Sequence, residues 1–249
     1  MSSLEKAVQI LDSFSYQRRK LSLADLNRIT GLPKSTMQRI LSAMVADGLL
    51  VKDDENKTYE LGMKLFFLGQ LVESSSSLLS SARPTMQRIH DETGEAVSLS
   101  IIDQLERRCI GCIASRHELS TLMYVGQTAS LHSGASAKAL FAFLPPKERE
   151  SKLNKLELKK ITDYTITDRD ALIKELDKVR VQGYAISRGE RVDGAFSISC
   201  PIFNQFDYVV ASLSLVIPFP RVDESKTDRW VNMVREGAKE ITMCLRGEG

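Results

Sequence analysis

Lys34-Ser35-Thr36-Met37-Gln38-Arg39-Ile40-Leu41-Ser42-Ala43-Met44-Val45 has two unlike faces when wound as an α-helix. Met37, Ile40, Leu41 and Met44 fall on one side, while Ser35, Gln38, Arg39 and Ser42 fall on the other. Pro33 suits the first turn of such a helix, and Asp47-Gly48 suits its end. The apolar side predicts packing against a core; the polar side is left free.

Working outward, Ser22 precedes Leu23-Ala24-Asp25-Leu26, a cap with an acid three positions on, and this shorter helix runs to about Thr30 and stops at Gly31. Ser3 to Phe14 places Leu4, Ala7, Val8 and Leu11 at helical spacing, which predicts a preceding helix. Three helices with a tight turn between the second and third form a helix-turn-helix. Leu49-Leu50-Val51-Lys52 and Lys57-Thr58-Tyr59-Glu60-Leu61 flank the polar turn Asp53-Asp54-Glu55-Asn56, which predicts a hairpin serving as a wing.

An isolated helix of this pattern is ordinarily a surface helix, but here the free face carries the side chains a DNA groove requires. Arg39 can pair with guanine, Gln38 with adenine, and Ser35 and Thr36 with a base or a phosphate; Ser42 continues the face. Lys34, Ser35 and Thr36 lie near a helix N-terminus, where amides and dipole favour a phosphate. Lys52 and Lys57 flank the wing turn, within reach of a DNA backbone or minor groove. From Tyr16 to Lys52 there are seven basic residues against two acidic ones, although the formal charge of the chain is only +2.

From Met63 to about Leu79 helical spacing returns, with a serine run at Ser74 to Ser77, and a further helix is expected from Pro84 to Thr93. Strand patterns follow at Ala96 to Ile102, Arg108 to Ser115 and Thr121 to Gly126, then a helix from Ser136 to Phe143. A long helix is expected from Asp168 to Val181, strands at Tyr184 to Ser187, Phe196 to Phe203 and Val209 to Ile217, and a last helix from about Asp223 to Leu245. Several strands are too close in sequence for helical crossovers, so a mixed α+β fold with a mostly antiparallel sheet is predicted. The expected organisation is residues 1–62 as a winged helix-turn-helix, 63–80 as a linker helix and 81–249 as the α+β domain. In Phe196-Ser197-Ile198-Ser199-Cys200 and Ala211-Ser212-Leu213-Ser214-Leu215, serines alternate with apolar residues. Two readings stay open for this: a strand face turned to water, or a small polar face lining a ligand cavity.

The stretch Leu23-Ala24-Asp25-Leu26…Thr30-Gly31-Leu32-Pro33-Lys34-Ser35-Thr36…Arg39-Ile40-Leu41…Asp47-Gly48-Leu49-Leu50, continued by Tyr59-Glu60-Leu61-Gly62, resembles the DNA-binding half of IclR-type transcriptional regulators. The likeness resumes at Tyr124-Val125-Gly126…Leu131-His132-Ser133-Gly134-Ala135-Ser136-Ala137-Lys138-Ala139-Leu140 and at Arg188-Gly189-Glu190…Cys200-Pro201-Ile202-Phe203. The resemblance implies a GAF-like effector domain and a homodimer made through the N-terminal domains and linker helices. It further implies frequent pairing into a homotetramer and binding to a palindromic double-stranded operator. It carries an effector-binding role onto Ala135, Ser136, Ser187, Ser197, Ser214 and Val216, and implies small organic acids or aromatic catabolites as effectors. Repression is the expected mode, although operator position decides it.

The composition, 43% apolar and 27% charged over 249 residues, is that of an ordinary globular protein. No apolar run is long enough to cross a membrane, and the chain opens on an amphipathic helix, so no membrane partner and a cytoplasmic location are expected. The four cysteines do not make a disulfide scaffold. Cys109-Ile110-Gly111-Cys112 has the spacing of a metal or redox pair, but residues three apart on a regular strand face opposite ways. The histidines are scattered, and His132 is read as structural. Neither GxGxxG nor GxxxxGK occurs. No metal, cofactor or catalytic activity is expected; the alternatives are an enzyme with an accessory winged helix, or a winged helix used only for protein contacts.

Overall fold

Ser22 starts a helix by a reciprocal bond: its Oγ accepts from the Asp25 amide at 3.2 Å, while Asp25 Oδ2 accepts from the Ser22 amide at 3.1 Å. Two amides that the helix itself leaves unpaired are thereby satisfied. The structure is a computed structural model describing residues 1–121 and 123–248. Contacts divide it into two units, Met1–Ser75 and a second beginning at Ser76. In the first, α1 (Ser3–Leu11), α2 (Leu23–Thr30) and α3 (Lys34–Ala46) enclose Ile10, Leu26, Met37, Leu41 and Leu50. Strands β2 (Leu50–Asp53) and β3 (Thr58–Leu61) form the wing hairpin. β1 (Leu21–Ser22) adds a third strand to β3 that was not anticipated, since two residues show no periodicity.

The single helix expected from Met63 to about Leu79 is instead two. α4 (Met63–Ser75) ends where Ser76 adopts extended geometry and its Oγ accepts from the Leu79 amide, starting α5 (Ser77–Thr93). The helix expected to begin at Pro84 therefore begins a full turn and more earlier, with Pro84 inside it. Proline removes one hydrogen bond, here to the carbonyl of Ser80; both residues are exposed, so water replaces the missing donor.

In the second unit, β4 (Ala96–Asp103), β5 (Glu106–Ile113), β6 (Thr128–Ser130), β7 (Ala185–Arg188), β8 (Ala195–Phe203) and β9 (Val209–Pro218) form an antiparallel sheet in the order β6-β5-β4-β9-β8-β7. Its two faces differ. Val97, Leu99, Phe196, Ile198, Leu213 and Leu215 cluster with residues of α5 and α9 (Thr227–Arg246). The alternate residues are small: Ser98 and Ser100, Ser197 and Ser199, Ser212 and Ser214. This second face is covered by α6 (Ala135–Ala142), which packs with α8 (Arg169–Gln182) and α7 (Pro146–Lys155). The strand expected at Thr121 to Gly126 is absent among the described residues there, Leu122 lying outside them; β6 follows instead. α7 was not anticipated, because of its ten residues Leu153 alone is buried. No helix among the described residues is long and apolar enough to cross a membrane.

Lys138, on α6, is 1% exposed. Its Nζ donates to Glu175 Oε1 at 2.9 Å, to the Ile186 carbonyl at 2.9 Å and to Glu190 Oε1 at 2.5 Å. Glu190 Oε2 in turn accepts from the Gly134 amide at 3.0 Å. Gly134, at φ 89°, makes the turn into α6 in a region that other residues avoid. One buried charge thus joins α6, α8 and the segment after β7.

Two stability predictions follow from this packing. A Cβ on Gly237 would meet Thr85 Cγ2 at 2.8 Å and Ile89 Cδ1 at 3.0 Å, so α5 and α9 cross too closely for alanine. Gly237→Ala should cost about 1–3 kcal/mol by overpacking, read as a lower urea midpoint at unchanged m-value. Lys138→Met leaves two carboxylates without their cation and should cost about 3–5 kcal/mol, read by the same denaturation; equal stability would refute the assigned role.

Candidate functional site

α3 turns outward the residues expected to read DNA. Lys34, Ser35, Gln38, Arg39 and Ser42 are exposed and Thr36 is half-buried, while Met37, Ile40, Leu41 and Met44 form the buried underside. Lys34, Ser35, Gln38 and Ser42 have no side-chain partner among the described residues; Arg39 makes one long contact, 3.5 Å, to Ser3 Oγ.

The surrounding positive charge is smaller than the count of basic residues suggests. Lys20 pairs with Glu60 at 2.7 Å and Arg28 with Asp25 at 2.8 Å. On the wing, Lys52 donates to Asp54, and that bond holds its ammonium pKa above the usual lysine value. Lys57 is exposed and free of any such pair among the described residues, and its φ of 54° turns the chain at the hairpin. The wing therefore offers one free cation beside an acidic tip.

In the second unit the alternating serines are not turned to water. Ser98, Ser199 and Ser212 are fully buried and Ser214 is 2% exposed, all beneath α6. Ser98, Ser214 and Ser199 stand side by side on β4, β9 and β8, and Val216, Ser197 and Ser187 form the adjacent row on β9, β8 and β7. The six positions Ala135, Ser136, Ser187, Ser197, Ser214 and Val216 are brought together around one small cavity, with about 30 Å³ of space inside it. Ser199 and Ser214 share a hydrogen bond of 2.7 Å, and Ser212 donates to the Ser136 carbonyl at 3.3 Å. The hydroxyl of Ser98, which also lines the cavity, has no protein partner.

Among the cavity residues that escaped sequence reasoning are its two charged ones, Arg107 on β5 and Arg191 in the loop after β7. Arg107 is 1% exposed; its Nε has no partner, and one guanidinium nitrogen donates to the Gln127 carbonyl at 3.4 Å. Burial, then the charge of Arg191, pulls its pKa down to about 10. Burial likewise lowers that of Arg191. Neither forms an ion pair among the described residues. The signal was the phase of β5: Arg107 is opposite Ile102 and Cys109 opposite Ser100, so Arg107 belongs to the inward series.

The same strand corrects the reading of the cysteine pair. A register shift leaves Ile110 as an extra residue, so Cys109 sits opposite Ser100 and Cys112 opposite Ser98, and both fall on the serine face. Burial raises both thiols, Cys109 to about 11, which disfavours the reactive thiolate. His132 is buried with both ring nitrogens engaged, Nδ1 with Ser130 Oγ at 2.7 Å and Nε2 with the Lys159 carbonyl at 2.9 Å.

Comparison with known proteins is consistent across the chain. The family described as IclR helix-turn-helix domain matches residues 3–54, and that described as bacterial transcriptional regulator IclR C-terminal matches residues 70–243. The chain is 31% identical over 242 residues to the transcriptional regulator KdgR of Escherichia coli, covering 97% of this chain and 92% of KdgR. It is 29% identical over 245 residues to XynR of Escherichia coli, covering 98% and 97%. A solved IclR homologue from Microbacterium hydrocarbonoxydans, complexed with 4-hydroxybenzoate, superposes with a TM-score of 0.87 at 29% identity, covering 99% of this chain and 100% of that one. With both family regions matched in order, and with a helix-turn-helix presented outward by the fold, this chain belongs to the IclR family of transcriptional regulators: a DNA-binding protein and not an enzyme.

Proposed function

We propose that α3 reads a double-stranded operator in the major groove and that a small organic acid, held in the serine-lined cavity, controls the affinity of that contact. The outward series Lys34, Ser35, Gln38, Arg39 and Ser42, free of partners but for one long contact, carries the DNA part of this reading. Thr36, Lys52 and Lys57 extend the contact surface. The cavity lining carries the effector part: hydroxyls, guanidiniums and the first turn of α6 converge on it, and these groups suit a carboxylate. The bound 4-hydroxybenzoate of the Microbacterium homologue supports an acid as effector. Repression is the adopted mode, since occupying an operator that overlaps a promoter suffices for it, and the protein acts in the cytoplasm, where it meets the chromosome.

Self-association belongs to the same reading. No residue of α4 is buried, although Met63, Phe66, Phe67, Leu68, Leu71 and Val72 are all apolar. Exposed apolar surface of this kind marks an interface, and a second copy of the chain is the proposed occupant, giving a homodimer and, by pairing of effector domains, a homotetramer. Two copies related by a twofold axis present two α3 helices, which suits a palindromic operator.

Gel-shift titration against the upstream region of the regulator's own gene tests the DNA reading; equal binding to random DNA in moderate salt overturns it. Arg39→Ala should cost about 1–3 kcal/mol of specific affinity and relax specificity at one base. Asp54→Asn frees Lys52 and removes a negative charge from the wing tip, so it should tighten operator binding, more at low salt than at high. Phe67→Glu with Leu71→Glu should shift the sedimentation of the full chain toward monomer and weaken operator binding in parallel; an unchanged assembly refutes the role given to α4.

A further inference from the structure

The cavity concentrates more positive charge than one carboxylate neutralises. Arg107 and Arg191 both line it, no lining residue is acidic, and the amide-bearing first turn of α6, Ala135 and Ser136, borders it as well. The neighbouring acids are otherwise disposed. Glu190 is held by Lys138 and the Gly134 amide, and Glu106 is exposed, its position next to Arg107 placing it on the opposite face of β5. Two further polar groups wait in the interior: Arg107 Nε and Ser98 Oγ are buried and unpartnered. Buried polar groups in folded proteins are ordinarily paired, and an unpaired guanidinium is the costliest exception.

The two arginines come from different parts of the sheet. Arg107 stands on β5 and Arg191 follows β7, with β4, β9 and β8 between those strands in the sheet order. Arg191 nevertheless lies near enough for its charge to act on Arg107, so the two guanidiniums present two positive charges to one cavity and a single negative charge neutralises only half of them.

We infer that the effector is a short-chain dicarboxylate, one carboxylate engaging Arg107 and Ser98 on the sheet, the other engaging Arg191 and the first turn of α6. This rests on the reading of the cavity as the effector site. A monocarboxylate neutralises one guanidinium and leaves the other without a counter-charge; a dicarboxylate neutralises both.

The test uses the full chain, with binding measured by calorimetry and thermal shift. Malonate, succinate and glutarate are compared with acetate, butyrate, inorganic phosphate and 4-hydroxybenzoate. At least one dicarboxylate should bind about tenfold or more tightly than any of the other four. Arg191→Gln should bring that ratio to within about threefold. Since Arg107 is buried, Arg107→Lys is the matching variant: it retains the charge, loses the two-pronged donor and should weaken dicarboxylates more than monocarboxylates. The inference is overturned if no dicarboxylate binds, if phosphate, a monocarboxylate or 4-hydroxybenzoate binds as well, or if the preference survives Arg191→Gln. Operator binding by the wild-type chain is scored in parallel, so that loss of the charge preference with specific DNA binding intact removes the dicarboxylate and leaves the regulator reading in place.

Discussion

The ammonium of Lys138 is the contact on which the geometry of the second unit depends. A lysine that is 1% exposed has given up its hydration, and only full coordination makes such burial tolerable. Glu175 on α8, Glu190 after β7 and the carbonyl of Ile186 within β7 supply that coordination. Their convergence fixes where α6 begins and where the loop carrying Arg191 turns, because Glu190 also holds the Gly134 amide at the mouth of α6. Thr162 and Thr165 hold the same loop from another side, donating at 2.7 Å to the carbonyls of Gly189 and Glu190. Arg191 is thus presented to the cavity by a loop anchored at its root, although its own guanidinium is unpaired among the described residues.

The cavity follows from side-chain size. α6 presents the sequence Ala-Ser-Ala-Lys-Ala-Leu-Phe-Ala to a sheet face made largely of serine and alanine, so small residues meet small residues. Arg107 Nε and the Ser98 hydroxyl have no protein partner there, and an unsatisfied buried polar group costs about 1–3 kcal/mol. A ligand supplying the missing acceptors recovers that cost. The opposite face of the same sheet shows what the chain does where stability alone is served: leucine, isoleucine and phenylalanine interlock with α5 and α9, as tightly as Gly237 against Thr85 and Ile89.

Much of this was legible in the sequence where local chemistry dictates the outcome. The two faces of α3, the capping box at Ser22 and Asp25, and the alternation in β8 and β9 are local patterns with one physical meaning each. Whether alternating serines face water or a cavity is decided by what lies above them, and periodicity carries no information about that; α6 answers the question. The remainder was illegible for particular reasons. β1 is too short to have a period, α7 is stabilised at one buried leucine, and Pro84 in α5 is tolerated because Ser80 faces water. The extra residue Ile110 reverses the face of Cys112, as a single insertion in a strand must. Arg107 went unnoticed because an arginine in a strand is ordinarily taken for its solvent side, and its inward phase emerges only from pairing with Ile102.

Binding in the cavity and binding at α3 are coupled if the effector distinguishes two arrangements of the protein, and linkage makes that coupling symmetric. The chain passes from the effector unit to the DNA-binding unit through Ser76, where α5 starts and α4 stops. α5 packs against the apolar face of the very sheet whose serine face forms the cavity, so β4 has the cavity on one side and α5 on the other. Neutralising Arg107 and Arg191 would alter the forces on β5 and on the loop after β7, the two segments that carry these charges. A coupling of about 1–3 kcal/mol is typical of allosteric proteins, comparable to the cost of an unsatisfied buried polar group. Only the part of that cost that a ligand relieves differently in the two arrangements reaches the operator.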